Sequence, residues 1–477
     1  MLYDMDFLKK GATFPPPEEY ERIKLYDENR LLFKGEHKQI FKERYNQLFD
    51  IDELTVWQFD FNWYRRISTA FANLLFGEPP VITVGKSQSK EQIFLNTILD
   101  NSDFINTGYN AVIDISRYGS GIFKPVLEDN TVKIDSLSPG YWFPVFDPKN
   151  RKKIIAHYIV WDVDDRLYVE IHDTRNPGII TYQTYQFKNG LIGNLIDFVE
   201  TETNVKSPLI VVCNNLTTSE NGFGIDDYGI IDTIVCELEV RFSQVARILD
   251  KHASPSMYGP RSLIQQDKRT GKAVVDVAGK YVGVSPGDTP PNYLVWDAQL
   301  SAVNQEIDNL MTQLYALSET SPALFGDLKQ GLAESGSALR RLLISPLSKV
   351  NRLRLSLDKK IKEVLSLASE LAVANSIPNS IQFSPQDIHI DWQDGLPIDM
   401  TEQVTVESTA VNSGLSSRES SMKRLWGLEG DALKQEIEKI KAEQSENQPN
   451  PPGLKLPSLE EKLNAITINP QVSNAGK

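Results

Sequence analysis

Gly85-Lys86-Ser87 has the form of the end of a phosphate-binding loop, and it is the first place where the sequence offers chemistry. In GxxxxGK[ST] an earlier glycine lets backbone N–H groups close around the phosphates. That position holds Pro80, which has no N–H to give, so the triplet is expected to be a plain turn. The five histidines, His37, His157, His172, His252 and His389, are dispersed and lack HExxH or comparable ligand spacing. They read as ordinary core or surface side chains. Asp162-Val163-Asp164-Asp165 crowds three carboxylates but lacks the glycine and distal glutamate of a calcium loop. Lying between two strand-like runs, it predicts a solvated hairpin turn. No GxSxG occurs, and Cys213 and Cys236 belong to no CxxC or Cys/His cluster, so both are expected to be buried thiols. The expectation is a chain with no catalytic centre, no metal and no cofactor.

A positive signal comes from a predicted long helix. Between Arg340 and Lys362 stand eight basic residues and one acid, Asp358, in a chain whose net charge is −14. At 100° per residue Arg341, Arg352 and Lys359 fall within about 20° of one another, flanked by Lys349 and Lys360. Leu343, Val350, Leu357 and Ile361 gather on another side. The stripe reads as a solvated face or as ion pairs with neighbouring acids; an amphipathic membrane helix is disfavoured, since nothing else in the chain points to a membrane anchor.

The acidic balance opposes tight binding of nucleic acid, which draws its affinity from lysines and arginines that displace counterions. The chain has 477 residues, 40% hydrophobic and 24% charged, enough for two or three domains. No run approaches the roughly 18 apolar residues of a membrane span. The opening MLYDMDFLKK carries acids where a signal peptide carries bases, so synthesis in a cytosol is expected.

The elements that must position these residues follow from periodicity. Pro15-Pro16-Pro17 predicts a surface arm before a helix from Glu18. Trp57, Phe61, Tyr64, Ile67, Phe71 and Leu74 mark one face of a helix ended by Gly77-Glu78-Pro79-Pro80, with a strand at Val81 to Val84. A single helix from Glu91 to Arg117 is expected next. Alternating runs then predict an antiparallel sheet: Gly121 to Val126, Thr131 to Leu137, Ile154 to Asp162, Leu167 to His172, Ile179 to Phe187 and Leu209 to Cys213. Helices from Asp227 to Lys251 and Leu300 to Leu317 flank a Gly/Pro-punctuated module, Ser254 to Trp296. After a glycine-bearing stretch, Ser337 to Ala374 predicts a helix of roughly 57 Å at 1.5 Å per residue, kinked at Pro346. A strand at Ile388 to Trp392 and two or three helices from Met400 to Glu443 follow, one opened by a capping box of Ser416 and Glu419. The fold class is α+β, and an Asn/Pro/Ser-rich tail from Gln444 is expected to be mobile.

Three stretches carry a resemblance to the portal proteins of tailed bacteriophages. They are Asn62 to Ile67 running on to Leu75-Phe76-Gly77-Glu78-Pro79-Pro80, Ser138-Pro139-Gly140-Tyr141 through Val145-Phe146-Asp147-Pro148, and Ser321 to Gly326 followed by Ser335 to Arg340. The resemblance implies an N-terminal wing at 1–226, stem helices at 227–253 and 298–318, and a clip at 254–297. It further implies a tunnel loop at 319–336 and a long kinked helix with wing return at 337–398. A helical crown at 399–443 and a flexible tail at 444–477 complete the expected chain. Lys329, Gln330 and Glu334 of the loop, with Arg341, Lys349, Arg352, Lys359 and Lys360, become the expected DNA-channel residues. The family's behaviour implies a dodecameric ring at one capsid vertex of the virion, made in the bacterial cytoplasm. The ring passes double-stranded DNA in packaging and ejection. Its expected partners are the ATP-driven terminase large subunit, the major capsid and scaffold proteins, and the head-completion or tail adaptor. Two rival readings are a minor capsid or adaptor protein and a packaging enzyme such as a terminase motor or nuclease.

Overall fold

The computed structural model describes residues 1–44, 59–86, 88–219, 222–253, 257–258, 264–266, 268–271, 273–275, 286–287, 292–293, 300–327, 336–393, 400–428 and 430–446. They fall into two units, Met1–Leu396 and Pro397–Lys477.

The expected surface arm is laced to a sheet: Leu2 bridges Val145, Thr13 bridges Leu191, and Leu2 and Leu8 are buried in an apolar cluster with Phe143, Val160 and Leu167. Helices α1 (Tyr20–Lys34) and α2 (His37–Arg44) follow. Helix α3 (Trp63–Ala72) starts where the Asn62 side chain accepts the Arg65 N–H, and a wider turn over Asn73–Gly77 ends it before the two prolines. Strand β1 (Val81–Val84) leads through the Gly85 turn into α4 (Lys90–Asn101), whose cap is Ser89.

The single helix expected from Glu91 to Arg117 is two, α4 and α5 (Phe104–Tyr118). Asp103 adopts a left-handed φ of 42° between them, and Ser102 accepts the Ile134 N–H. Asn, Ser and Asp side chains compete with helical backbone bonds; here Ser102 makes its bond across the fold, and Asp103 accepts from the Asn106 amide in the first turn of α5. Helix α5 ends at Gly119, where a side chain is excluded: a Cβ there would come within 2.3 Å of the Gly224 carbonyl oxygen.

Strands β2 (Ser120–Glu128) and β3 (Thr131–Leu137) are followed by β4 (Trp142–Asp147), β5 (Asn150–Val163), β6 (Arg166–Asp173), β7 (Ile179–Lys188), β8 (Leu191–Glu202) and β9 (Val211–Asn214). They build two antiparallel sheets, ordered β3-β2-β9 and β4-β5-β6-β7-β8. The hairpin expected at Asp162-Val163-Asp164-Asp165 forms, with Asp164 and Asp165 at φ 49° and 59° between the paired Val163 and Arg166. Two positive φ values in a two-residue loop match the twist of the strands. Strand β8 was not expected, because its apolar residues do not alternate. Its ladder with β7 has register shifts around Tyr185, and Leu195, Ile196, Phe198 and Val199 stand exposed on this edge strand.

Helix α6 (Asp232–Ala253) starts later than expected, because Asp226 accepts the N–H groups of Tyr228 and Gly229 in a preceding turn. Of the module at 254–297, the described part is two short antiparallel pairs, β10 (Met257–Tyr258) with β13 (Asn292–Tyr293) and β11 (Ile264–Gln266) with β12 (Ala273–Val275). The strand read at Tyr281 to Val284 lies outside the described residues. Helix α7 (Leu300–Leu317) packs against α6, with Arg241 Nε 3.0 Å from Glu306.

The long helix is interrupted. Helix α8 (Gly336–Leu342) gives way at Leu343, φ −102° and ψ 13°, to α9 (Ile344–Ala374). Pro346 therefore sits in the first turn of α9, where its missing N–H has no partner to lose. Helix α9 buries Val350, Leu353, Leu357, Ile361, Val364, Leu365 and Leu371 in the main core. Strand β14 (Ile388–Asp391) returns to pair with β1.

In the second unit are α10 (Met400–Asn412), α11 (Arg418–Trp426) and α12 (Gly430–Glu446). The expected capping box is displaced by one residue: Ser417 accepts the Ser420 N–H, while Ser416 bonds Arg424 and Ser421. Arg424 grips both oxygens of Glu407 at 2.7 Å, joining α10 to α11. The tail begins later than expected, since α12 runs to Glu446, and from residue 447 it lies outside the described residues.

Candidate functional site

The five basic residues of the predicted stripe separate into three kinds. Lys349 is buried, its Nζ 2.9 Å from Asp227 Oδ1 and 4.1 Å above the Phe71 ring. Asp227 is held in turn by Ser116 Oγ at 2.8 Å and Asn215 Nδ2 at 2.8 Å, and Ser116 continues through Ser68 to the Tyr228 hydroxyl. The carboxylate and the ring's negative face offset the cost of keeping an ammonium from water. Lys349 is thus no part of an exposed stripe.

Arg352 and Lys360 are paired within the chain. Arg352 donates from both terminal nitrogens to Glu319, one contact being 3.1 Å, and this hydrogen bond raises the Arg352 pKa. Lys360 reaches Glu363 at 2.8 Å. Arg341 and Lys359 are exposed, and among the described residues neither has an ion-pair partner. Arg341 also belongs to α8, so the angular phase expected between it and Arg352 is broken at Leu343. Composition alone cannot make these separations, because burial is decided by what α9 packs against.

The stretch expected to project as a mobile loop is docked in its first half. Pro322–Phe325 forms a tight helical turn, and the Phe325 ring sits 5.6 Å from Trp63 and 6.1 Å from Tyr315, under Arg66. Lys329, Gln330 and Glu334 lie outside the described residues.

The histidines are core side chains, except that His389 is exposed on β14 and the His252 side chain lies outside the described part. His157 is buried and accepts the Trp142 indole N–H at 3.1 Å; burial first, then the charges of His172 and Lys360, push its pKa down to about 3. His172 lies 2.7 Å from Glu170, which also meets Lys124. Burial works against Glu170's charge, yet these two partners hold its pKa below the usual value. Cys213 and Cys236 are buried as expected, and burial raises both thiols, Cys213 to about 11. Gly85 occupies a left-handed turn, φ 67°, between β1 and α4.

Sequence reasoning missed one cluster. His37 and Glu239, both fully buried, meet at 2.7 Å, and Asp60 lies beside them. Burial opposes the charged imidazole, but the hydrogen bond and charge of Glu239 outweigh it and raise the His37 pKa. The members stand far apart in sequence and in no ligand motif, so no local signal points to them.

Long core helices, two antiparallel sheets and a small module inserted between α6 and α7 describe a mixed architecture in which buried ion pairs such as Lys349–Asp227 and His37–Glu239 join elements. The model of the family "Phage portal protein, SPP1 Gp6-like" matches residues 17–450, and the chain belongs to this family. It is a structural rather than an enzymatic family. Three similar solved structures come from gene transfer agent particles. The neck of the native particle computed with C12 symmetry is 11% identical with a TM-score of 0.44, over 76% of this chain and 88% of that one. The neck of the empty particle computed with C6 symmetry is 12% identical with a TM-score of 0.45, over 77% and 89%. The native virion is 11% identical with a TM-score of 0.42, over 88% and 96%. No curated protein matches the chain. Among the described residues no helix is long and apolar enough to cross a membrane.

Proposed function

We propose that the chain is a non-enzymatic protomer of a ring, with twelve copies the expected number, at one vertex of a phage capsid. The ring is the conduit for double-stranded DNA in packaging and ejection. It docks the terminase large subunit, which supplies the energy, then the head-completion or tail adaptor, and it sits among the major capsid and scaffold proteins. The observation that carries this reading is the family match over residues 17–450.

In this reading α6 and α7 form the stem, 254–297 the clip, 319–336 the tunnel loop, 399–443 the crown and 444–477 the tail. A lysine or arginine held against a phosphate deepens a well that moving DNA must leave, so a channel works best with few such contacts. Pairing Arg352 with Glu319 and Lys360 with Glu363 reduces the charge available to DNA. Arg341, Lys359 and the loop residues Lys329, Gln330 and Glu334 then supply the limited backbone contacts, without reading bases.

The test is charge reversal at Arg341 and Lys359, with ring assembly and DNA packaging measured separately. Intact rings with poor packaging support a DNA-facing role; loss of rings assigns both residues to contacts with the neighbouring protomer. Lys329→Ala is expected to change packaging or DNA retention more than assembly, and an unchanged packaging yield would count against its role.

A further inference from the structure

We propose that His37, Asp60 and Glu239 bind one first-row divalent cation of the zinc class, which ties together α2, the segment before α3, and α6. The inference stands apart from the portal reading, since it rests on side-chain geometry within one chain. One ring nitrogen of His37 and one carboxylate oxygen each from Asp60 and Glu239 all lie within 4.8 Å of one another. Zinc–ligand bonds of about 2.0–2.2 Å place donors roughly 3 to 4 Å apart, so the three need only a small contraction to share an ion.

Two further observations point to a ligand. The first is the orientation of His37: its Nε2–H donates to the Leu32 carbonyl at 2.9 Å. A backbone carbonyl on the far nitrogen is the usual support of a metal-bound imidazole, and it leaves Nδ1, 2.7 Å from Glu239 Oε1, as the nitrogen that takes an ion once the shared proton is displaced. The ring is wedged in place by Tyr64 and Phe41, at centroid distances of 5.2 and 5.7 Å. The second is Glu239. Its Oε1 accepts the Phe61 N–H at 2.8 Å and faces His37, whereas its Oε2 is buried without a hydrogen-bond partner among the described residues. A buried carboxylate oxygen left with unused lone pairs is costly, and a cation removes that cost.

His37 and Glu239 are fully buried and Asp60 is exposed, which leaves one side of the cluster open for the ion and its waters. One imidazole nitrogen with two carboxylate oxygens suits zinc, cobalt or manganese better than calcium, which takes oxygen ligands alone. The competing occupant is a proton between His37 and Glu239. Binding of the ion releases that proton, so affinity should rise with pH.

The experiment uses the untagged full chain, stripped with EDTA and titrated with cobalt(II) and zinc(II). The expected result is one cobalt(II) bound per chain with a visible absorption band, and a higher melting temperature in zinc. Because Asp60 is exposed, Asp60→Asn should melt like the metal-free parent while losing about tenfold or more in cobalt affinity. Binding that is absent, or weak, many-sited and equal in Asp60→Asn, overturns the proposal.

Discussion

Helix α9 carries the same residue types in buried and in open positions along its length and uses them in opposite ways. On its inward side Lys349 is sealed between Asp227 and Phe71, in contact with a hydrogen-bonded chain that reaches Tyr228. Elsewhere along the helix Arg352 and Lys360 pair near the surface, and Lys359 is exposed with no ion-pair partner among the described residues. A lysine in a helix is therefore no measure of basic surface. What it does is set by the neighbour its side chain meets: the buried Lys349 holds elements together, Arg352 and Lys360 are occupied within the chain, and the exposed Lys359 is open to a partner.

The largest expected effect breaks the inward side. Lys349→Met strands Asp227 in the core and should cost about 3–5 kcal/mol of stability, read by chemical denaturation. Adding Asp227→Asn should recover much of that loss; if the single variant is as stable as the parent, Lys349 is not the clamp described. The next effect concerns His157, which faces the Lys360 charge from within. Its folded-state pKa of about 3 lies below the ordinary 6.5. Between those values the unfolded chain binds the extra proton and the folded chain does not. The contribution to stability is therefore complete above about pH 6.5 and is lost as pH falls toward 3. His157→Gln, which keeps an acceptor for Trp142, should flatten that part of the stability curve; an unchanged slope would mean His157 does not stay neutral in the fold. The smallest effects lie outside. Arg352→Ala should cost no more than about 1 kcal/mol, as a partly exposed pair does. Lys359→Glu should leave stability within about 0.5 kcal/mol while lowering packaging.

Local pattern made much of the fold legible. The hairpin at Asp164-Asp165, strand β3 and the apolar face of α9 follow from turn chemistry and periodicity of two or 3.6. Features decided by distant partners were not legible. Ser102 ends α4 by accepting the Ile134 N–H, and the N-terminal arm joins a sheet edge formed by Leu191 and Ile192. Leu343, a strong helix former, is the residue at which the long helix breaks, because Pro346 cannot bond back to Leu342. The candidate site was legible only as residue types. The helical wheel grouped Arg341 with Arg352 and kept Lys349 on their flank. The break at Leu343 and the burial of Asp227 undid both placements. His37, Asp60 and Glu239 were invisible, since their proximity exists only once α2, α3 and α6 have packed.

On the proposed function, copies of this chain close around an axial hole while the energy for moving DNA comes from elsewhere. Electron microscopy of the purified chain, with nucleotide hydrolysis measured on the same sample, tests it most directly. The account predicts rings with a central opening and no hydrolysis above background. Single subunits under every condition, or DNA-stimulated ATP hydrolysis by the chain alone, would contradict it.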